Sequence, residues 1–124
     1  MQPSAVIFGD IGPDVRWVGN EEGFAGETSW ATFTPEALDE GKQPANGYSK
    51  YWLATEGSLN GKYWMPGECD VPLRPGWFYH ASQDEQVKSP YTLHDLYYKS
   101  VGRWGNLDLA LAPELGQRRQ RLVQ

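Results

Sequence analysis

The chain has 124 residues, of which 40% are hydrophobic and 22% charged, with a net charge of −5. That balance suits one folded domain and excludes a disordered chain, while the acidic excess argues against the basic footprint that nucleic-acid binding needs. No apolar run approaches the roughly 20 residues of a membrane-spanning helix.

Aromatic residues reach 14%, with six Trp, yet mean hydropathy is −0.62. The rings are therefore expected in patches between polar loops, several of them lining a surface or cleft. The first ten residues lack a basic stretch and a long apolar stretch, so no signal peptide is read there. The single cysteine, Cys69, excludes an internal disulfide.

Ala5 to Phe8 is a short β-branched, apolar run, the pattern of a buried strand in a parallel sheet. It ends in the turn-rich Gly9 to Asp14. Val15 to Val18 follows, and then Gly19-Asn-Glu-Glu-Gly23 puts acids just past a strand end, where α/β enzymes keep their chemistry. Residues 23–63 show little periodicity but carry Trp30, Phe33, Tyr48, Tyr51, Trp52 and Tyr63, and a loop of that length is usually functional. Within it, Thr34-Pro35 predicts one helical turn with Thr34 as its cap.

Trp64 to His80 packs acids, an arginine, a cysteine, a histidine and aromatics among prolines and glycines. The Pro and Gly residues rule out a plain helix. Two readings stand: a sugar-binding cleft, with rings for C–H faces and charged groups for hydroxyls, or an irregular strand–turn–strand with core aromatics. Cys69 to Leu73 predicts a strand and Gly76 to His80 a further extended piece. Ser89 and Pro90 form a cap followed by Pro at the first helical position. Leu93, Leu96, Tyr97, Val101 and Trp104 continue an amphipathic helix to Gly102 or Arg103. Leu107 to Leu111 predicts a last strand, and the tail with Arg118, Arg119 and Arg121 reads as solvated. The order is α/β-like, but parallel strands need crossovers and this chain has too few helices to supply them. The sequence reads as a piece of something larger.

Three segments carry a family resemblance. They are Ala5 to Gly23, with Gly12-Pro-Asp-Val-Arg-Trp-Val-Gly-Asn-Glu-Glu-Gly23 at its heart; Trp64 to His80; and Val87-Lys-Ser-Pro90 with Leu96-Tyr-Tyr-Lys-Ser-Val-Gly-Arg103 and the strand Asn106 to Pro113. Together they resemble the catalytic domain of α-L-fucosidases of glycoside hydrolase family 29, most closely the bacterial branch that cleaves α-1,3/1,4-linked fucose. The resemblance implies an α/β fold, a partial (β/α)8-like barrel comprising its C-terminal half with a long aromatic-rich loop. Residues 1–116 would be that half and 117–124 a polar basic tail. The tail departs from the family, whose last strand usually ends in Asn-Pro-Pro; here it reads Leu107-Asp-Leu-Ala-Leu-Ala-Pro113.

Enzymes of this kind are retaining, with one carboxylate as nucleophile and a second as acid/base. The family's nucleophilic aspartate lies in a segment that would precede Met1, and no residue here matches it. The fragment alone is thus expected to be inactive, with open sheet edges, and to partner the missing N-terminal half of the barrel. The resemblance further implies a fucosylated oligosaccharide as ligand, no cofactor, no metal, and a secreted or periplasmic setting.

Glu21 is the expected acid/base, with Glu22 as its competitor and Trp17 as a possible apolar wall. Trp77 is the expected sugar platform, facing the apolar 6-methyl of fucose. Arg16 contacts hydroxyls or sets the acid's charge state, or else makes a surface ion pair with Asp14. Glu68 and Asp70 share one strand face, where they contact sugar or orient Arg74. Cys69 reads as a buried small residue, and His80 and His94 match no zinc spacing. The loop aromatics are expected on the aglycone side. A non-catalytic carbohydrate-binding module using the aromatic surface is the alternative.

Overall fold

A computed structural model describes residues 2–112. The tail assigned to 117–124 lies outside the described residues.

The framework is a four-stranded parallel sheet. Its strands are β1 (Phe8–Gly9), β2 (Val15–Trp17), β5 (Gly67–Pro72) and β6 (Gly105–Ala110), in the spatial order β1-β2-β5-β6. A small antiparallel ribbon, β3 (Thr32–Phe33) with β4 (Tyr63–Trp64), sits apart from it. The chain is thus mixed α/β with a parallel sheet, in line with the expected class.

Among the described residues, the one helical crossover runs from β5 through a 3-10 turn (Ala81–Gln86) and helix α1 (Pro90–Ser100) to β6. Ser89 caps α1 by accepting a hydrogen bond from the Thr92 amide at 3.2 Å, and Pro90 occupies the first turn, as the sequence predicts. The α-helix closes at Ser100 rather than at Gly102. A 3-10 turn (Val101–Arg103) follows, and Trp104 takes a left-handed conformation, φ 63°, that ends it. The buried Ser100 hydroxyl donates to the Leu96 carbonyl at 2.7 Å, so it carries no orphan polar group into the core.

β1 and β2 are parallel neighbours without a helical crossover. The amides of Asp14 and Val15 both donate to the Ile7 carbonyl, and the Ile7 amide donates to Asp14 Oδ2 at 2.8 Å. The five-residue connection doubles back on itself and restarts the chain in the same direction. The expected buried strand at Ala5–Phe8 is corrected here. Strand pairing begins only at Phe8, and Val6 is 73% exposed. Among the described residues β1 has one neighbour, β2, and apolar composition does not reveal what covers a face.

The other boundaries shift for local reasons. β5 starts two residues before Cys69 because Gly67 already pairs with both Arg16 and Gly105. Gly76–His80 forms no strand, and a turn leads instead into the Ala81–Gln86 segment. Thr34 does not cap a helical turn; its hydroxyl accepts from the Lys62 amide at 2.9 Å and stitches the two arms of the ribbon together.

Two small cores result among the described residues. Val18, Ala25 and Cys69 pack behind the sheet, while Phe33, Ala54 and Met65, with Leu53 against them, fill the long loop. Arg16 joins the loop to the sheet. It is fully buried on β2, where its guanidinium donates to the carbonyls of Ala54 (2.8 Å), Met65 and Trp30 (2.9 Å) and lies over the Phe33 ring. Desolvation pulls its pKa from 12.5 down to about 10, so it remains charged at neutral pH.

Candidate active site

Parallel strands point their carboxyl ends to one edge, and loops at that edge carry the chemistry. Glu21 lies in the loop after β2. Gly19 and Gly23 bracket it, at φ 83° and 82°, in the left-handed region that disfavours a side chain. Gly23 is required twice over, because a Cβ there would come within 2.7 Å of Val71. Asn20 holds the turn between them: its Oδ1 accepts from the Glu22 amide at 3.0 Å and its Nδ2 donates to the Phe24 carbonyl at 3.1 Å. The loop is thereby shaped before any ligand arrives.

Glu21 and Trp77, 56 residues apart in sequence, meet here. The indole Nε1–H of Trp77 donates to Glu21 Oε2 at 3.2 Å. Trp77 reaches this point from the turn after β5, and Glu21 itself is exposed. Glu22 is exposed as well, but its recorded hydrogen bond is through its backbone amide.

Trp17 turns away from Glu21. Its indole donates to Asp70 Oδ1 at 2.7 Å, and its ring stacks on Tyr51 at 5.8 Å with 27° between planes. These groups line an open pocket of about 690 Å³ that also includes Phe8, Asp10 and Leu38. That volume falls within the range of about 300–1,000 Å³ typical of ligand clefts.

Glu68 and Asp70 do share a face of β5, as their alternation predicts, while Cys69 and Val71 are buried on the other. Burial, followed by the charges of Asp108 and Asp70 and a hydrogen bond with Asp108, pushes the Glu68 carboxyl up to about 7. Neither acid orients Arg74, correcting that expectation. Arg74 pairs with Asp84 at 2.8 Å and lies over the Tyr79 ring, in a local cluster on the turn after β5. Arg16 is a second correction. It makes neither a surface ion pair with Asp14 nor an exposed contact surface, because its donors are spent on buried backbone carbonyls. Burial likewise pushes the Cys69 thiol up to about 12, so it stays protonated and unreactive at neutral pH.

Sequence reasoning passed over Asp10 and Asp108. Asp108 was hidden inside an apolar run, although its register opposite Asp70 on β6 follows from the period of two. Asp10 stands directly after β1, the same strand-end position that drew attention to Glu21, and its carboxylate accepts from the Gly47 amide and the Ser49 hydroxyl, both at 2.9 Å.

No family model matches the chain. It is 50% identical over 103 residues to alpha-L-fucosidase 1 of Arabidopsis thaliana, a match covering 83% of this chain and 19% of that protein. Its fold superposes with a TM-score of 0.74 on the crystal structure of a Bacteroides thetaiotaomicron protein described as an alpha-L-fucosidase, at 43% identity, covering 91% of this chain and 24% of the other. A glycoside hydrolase 29 fucosidase of Ruminococcus gnavus, solved in complex with fucose, superposes with a TM-score of 0.65 at 29% identity over 88% of this chain and 21% of the other. The chain therefore spans about a fifth of the length of the curated relative it matches, and its likeness extends to plant as well as bacterial proteins.

Proposed function

We propose that the chain is the C-terminal part of a (β/α)8-like catalytic barrel that hydrolyses terminal α-L-fucosides with retention, and that Glu21 is its acid/base. The observation that supports this most directly is the Trp77–Glu21 contact at the carboxyl edge of a parallel sheet. It joins an aromatic ring and a carboxylate from two loops in a chain 50% identical to a fucosidase. The binding-module alternative is not favoured, since each relative named above is called a fucosidase.

In this reading the indole N–H fixes the direction of the Glu21 carboxyl while the ring face of Trp77 meets the sugar. Glu21 protonates the glycosidic oxygen as the nucleophile attacks the anomeric carbon, and then takes a proton from the water that releases fucose. The nucleophile, an aspartate about 5 Å away in retaining enzymes, comes from the preceding half of the barrel. Asp70 holds the Trp17 ring through its hydrogen bond with the indole.

The test is Glu21→Gln in the barrel completed with its preceding half. Turnover of a fucoside with a poor leaving group should fall by about 10²–10⁴-fold, while an activated aryl fucoside loses less in its first step. Unchanged turnover of the poor leaving group would overturn the assignment. The 124-residue chain alone should hydrolyse neither substrate.

A further inference from the structure

We infer that Asp84 is a positioning residue for the acid/base: its carboxylate holds both flanks of the turn that carries Trp77, and through the Trp77 indole it fixes the direction of Glu21. The inference rests on the fucoside-hydrolase reading and extends it to a residue outside the reacting groups.

The segment between β5 and α1 is closed at its base. The Leu73 amide donates to the Ala110 carbonyl at 3.0 Å, the Lys88 amide to the Leu73 carbonyl at 2.9 Å, and the Lys88 ammonium to the Pro72 carbonyl at 2.7 Å. Beyond that base, the turn that reaches Glu21 has little packing of its own. Pro75, Gly76, Phe78 and His80 are exposed. Gly76, at φ 78°, bends the turn without filling any space, since a Cβ there would meet nothing within 4 Å. Burial therefore does little to set where the Trp77 indole points.

Asp84 supplies the hold. Arg74 Nη1 donates to its Oδ1 at 2.8 Å, and the Tyr79 hydroxyl donates to its Oδ2 at 3.3 Å. The Arg74 guanidinium also lies 4.8 Å from the centre of the Tyr79 ring. Arg74 stands three residues before Trp77 and Tyr79 two after it, so the two oxygens of one carboxylate set the span of the turn. The Arg74 side chain is only 13% exposed, which lifts this cluster above an isolated surface ion pair. On the facing side, Gly19, Asn20 and Gly23 already shape the Glu21 loop, so the Trp77 turn decides whether the two groups meet. Their hydrogen bond of 3.2 Å lies at the long end of the N–H···O range, and a small shift of the turn breaks it. Asp84 acts through Trp77 and takes no part in the chemistry.

The experiment uses the completed barrel and two fucosides, one with a poor leaving group that needs protonation and an activated aryl fucoside that needs it less. Asp84 is half exposed, so replacing it leaves the core packing in place. Asp84→Ala should lower kcat/KM about tenfold for the poor leaving group and under about threefold for the activated one. Asp84→Asn still offers an oxygen to Arg74 and an N–H to the Tyr79 oxygen, and should recover most of the loss. In a Trp77→Phe background, which lacks the N–H, adding Asp84→Ala should cost under about twofold more, because its effect runs through the indole. Equal losses on both substrates, additive losses in the double variant, an Asn variant as poor as Ala, or unchanged kinetics in Asp84→Ala would each overturn the inference. A second readout needs no turnover. In the barrel labelled with 5-fluorotryptophan, the Trp77 fluorine resonance, identified by its absence in Trp77→Phe, should shift or broaden in Asp84→Ala, and an unchanged resonance would overturn the inference as well. A parent barrel inactive on both substrates would sink the fucosidase reading, and the fluorine resonance would still decide whether Asp84 fixes Trp77.

Discussion

The β5–α1–β6 unit and the long segment between β2 and β5 hold together by different means. The first is a six-residue parallel ladder with a capped helix across it, and backbone groups satisfy one another. The second has a two-residue ribbon, a short 3-10 turn (Tyr51–Thr55) and scattered backbone bonds between its turns, and side chains hold several of its remaining carbonyls. Arg16 alone answers three of them, Thr32 and Thr55 answer Ser58 and Val18, and Asp10 takes the Gly47 amide. Regular structure spreads its stability over many equal bonds. The irregular segment concentrates it in a few residues, and damage there should be correspondingly uneven.

The sharpest way to expose that contrast is Arg16→Met. It keeps much of the volume but leaves three carbonyls without donors, and should cost about 3–5 kcal/mol in denaturant unfolding. Arg16→Lys should rescue little, because one ammonium does not reproduce a planar fork reaching three carbonyls. Hydrogen exchange should show protection lost first around Ala54 and Met65, with the β5–β6 ladder following. Simultaneous loss would dissolve the distinction.

A smaller effect comes from the carboxyl cluster on the ladder itself. Glu68 has its folded pKa raised, so the folded state binds more protons than the unfolded chain between the ordinary value of 4.5 and about 7. Stability should therefore decline as pH rises through that window. Glu68→Gln, which keeps a partner for Asp108, should flatten the decline and recover about 1–2 kcal/mol at pH 8, the partial exposure of the site having been allowed for. A slope identical in both proteins would remove Glu68 as its source. The mildest perturbation is Ser89→Ala, worth about 1 kcal/mol for a lost cap. It should fray only the first turn of α1 in exchange measurements and leave the loop segment untouched.

The same division explains how much the sequence reveals. Ser89-Pro90, the helical spacing after it, and the alternation around Cys69 report local physics, and the structure places those elements within a few residues of their expected bounds. The acids after Val18 and the ring of Trp77 were legible as types of chemistry, yet nothing in either segment announces that they meet across 56 residues. Arg16 misled because an arginine two residues from Asp14 reads as exposed and ion-paired. Its actual partners are carbonyls, which every residue carries and no sequence pattern marks. Asp10 was missed for the same reason, since its value lies in a loop that starts 26 residues later and folds back over it.

The lone thiol of Cys69 offers a use that follows from its setting. It has no measurable exposure, its Sγ lies within 3.1 Å of where a Cβ on Gly105 would stand, and its proton is held tightly. A thiol-modifying reagent thus meets it only when the core of Val18, Ala25 and Cys69 opens. The chain carries its own stopwatch for that opening, read at a single sulfur atom.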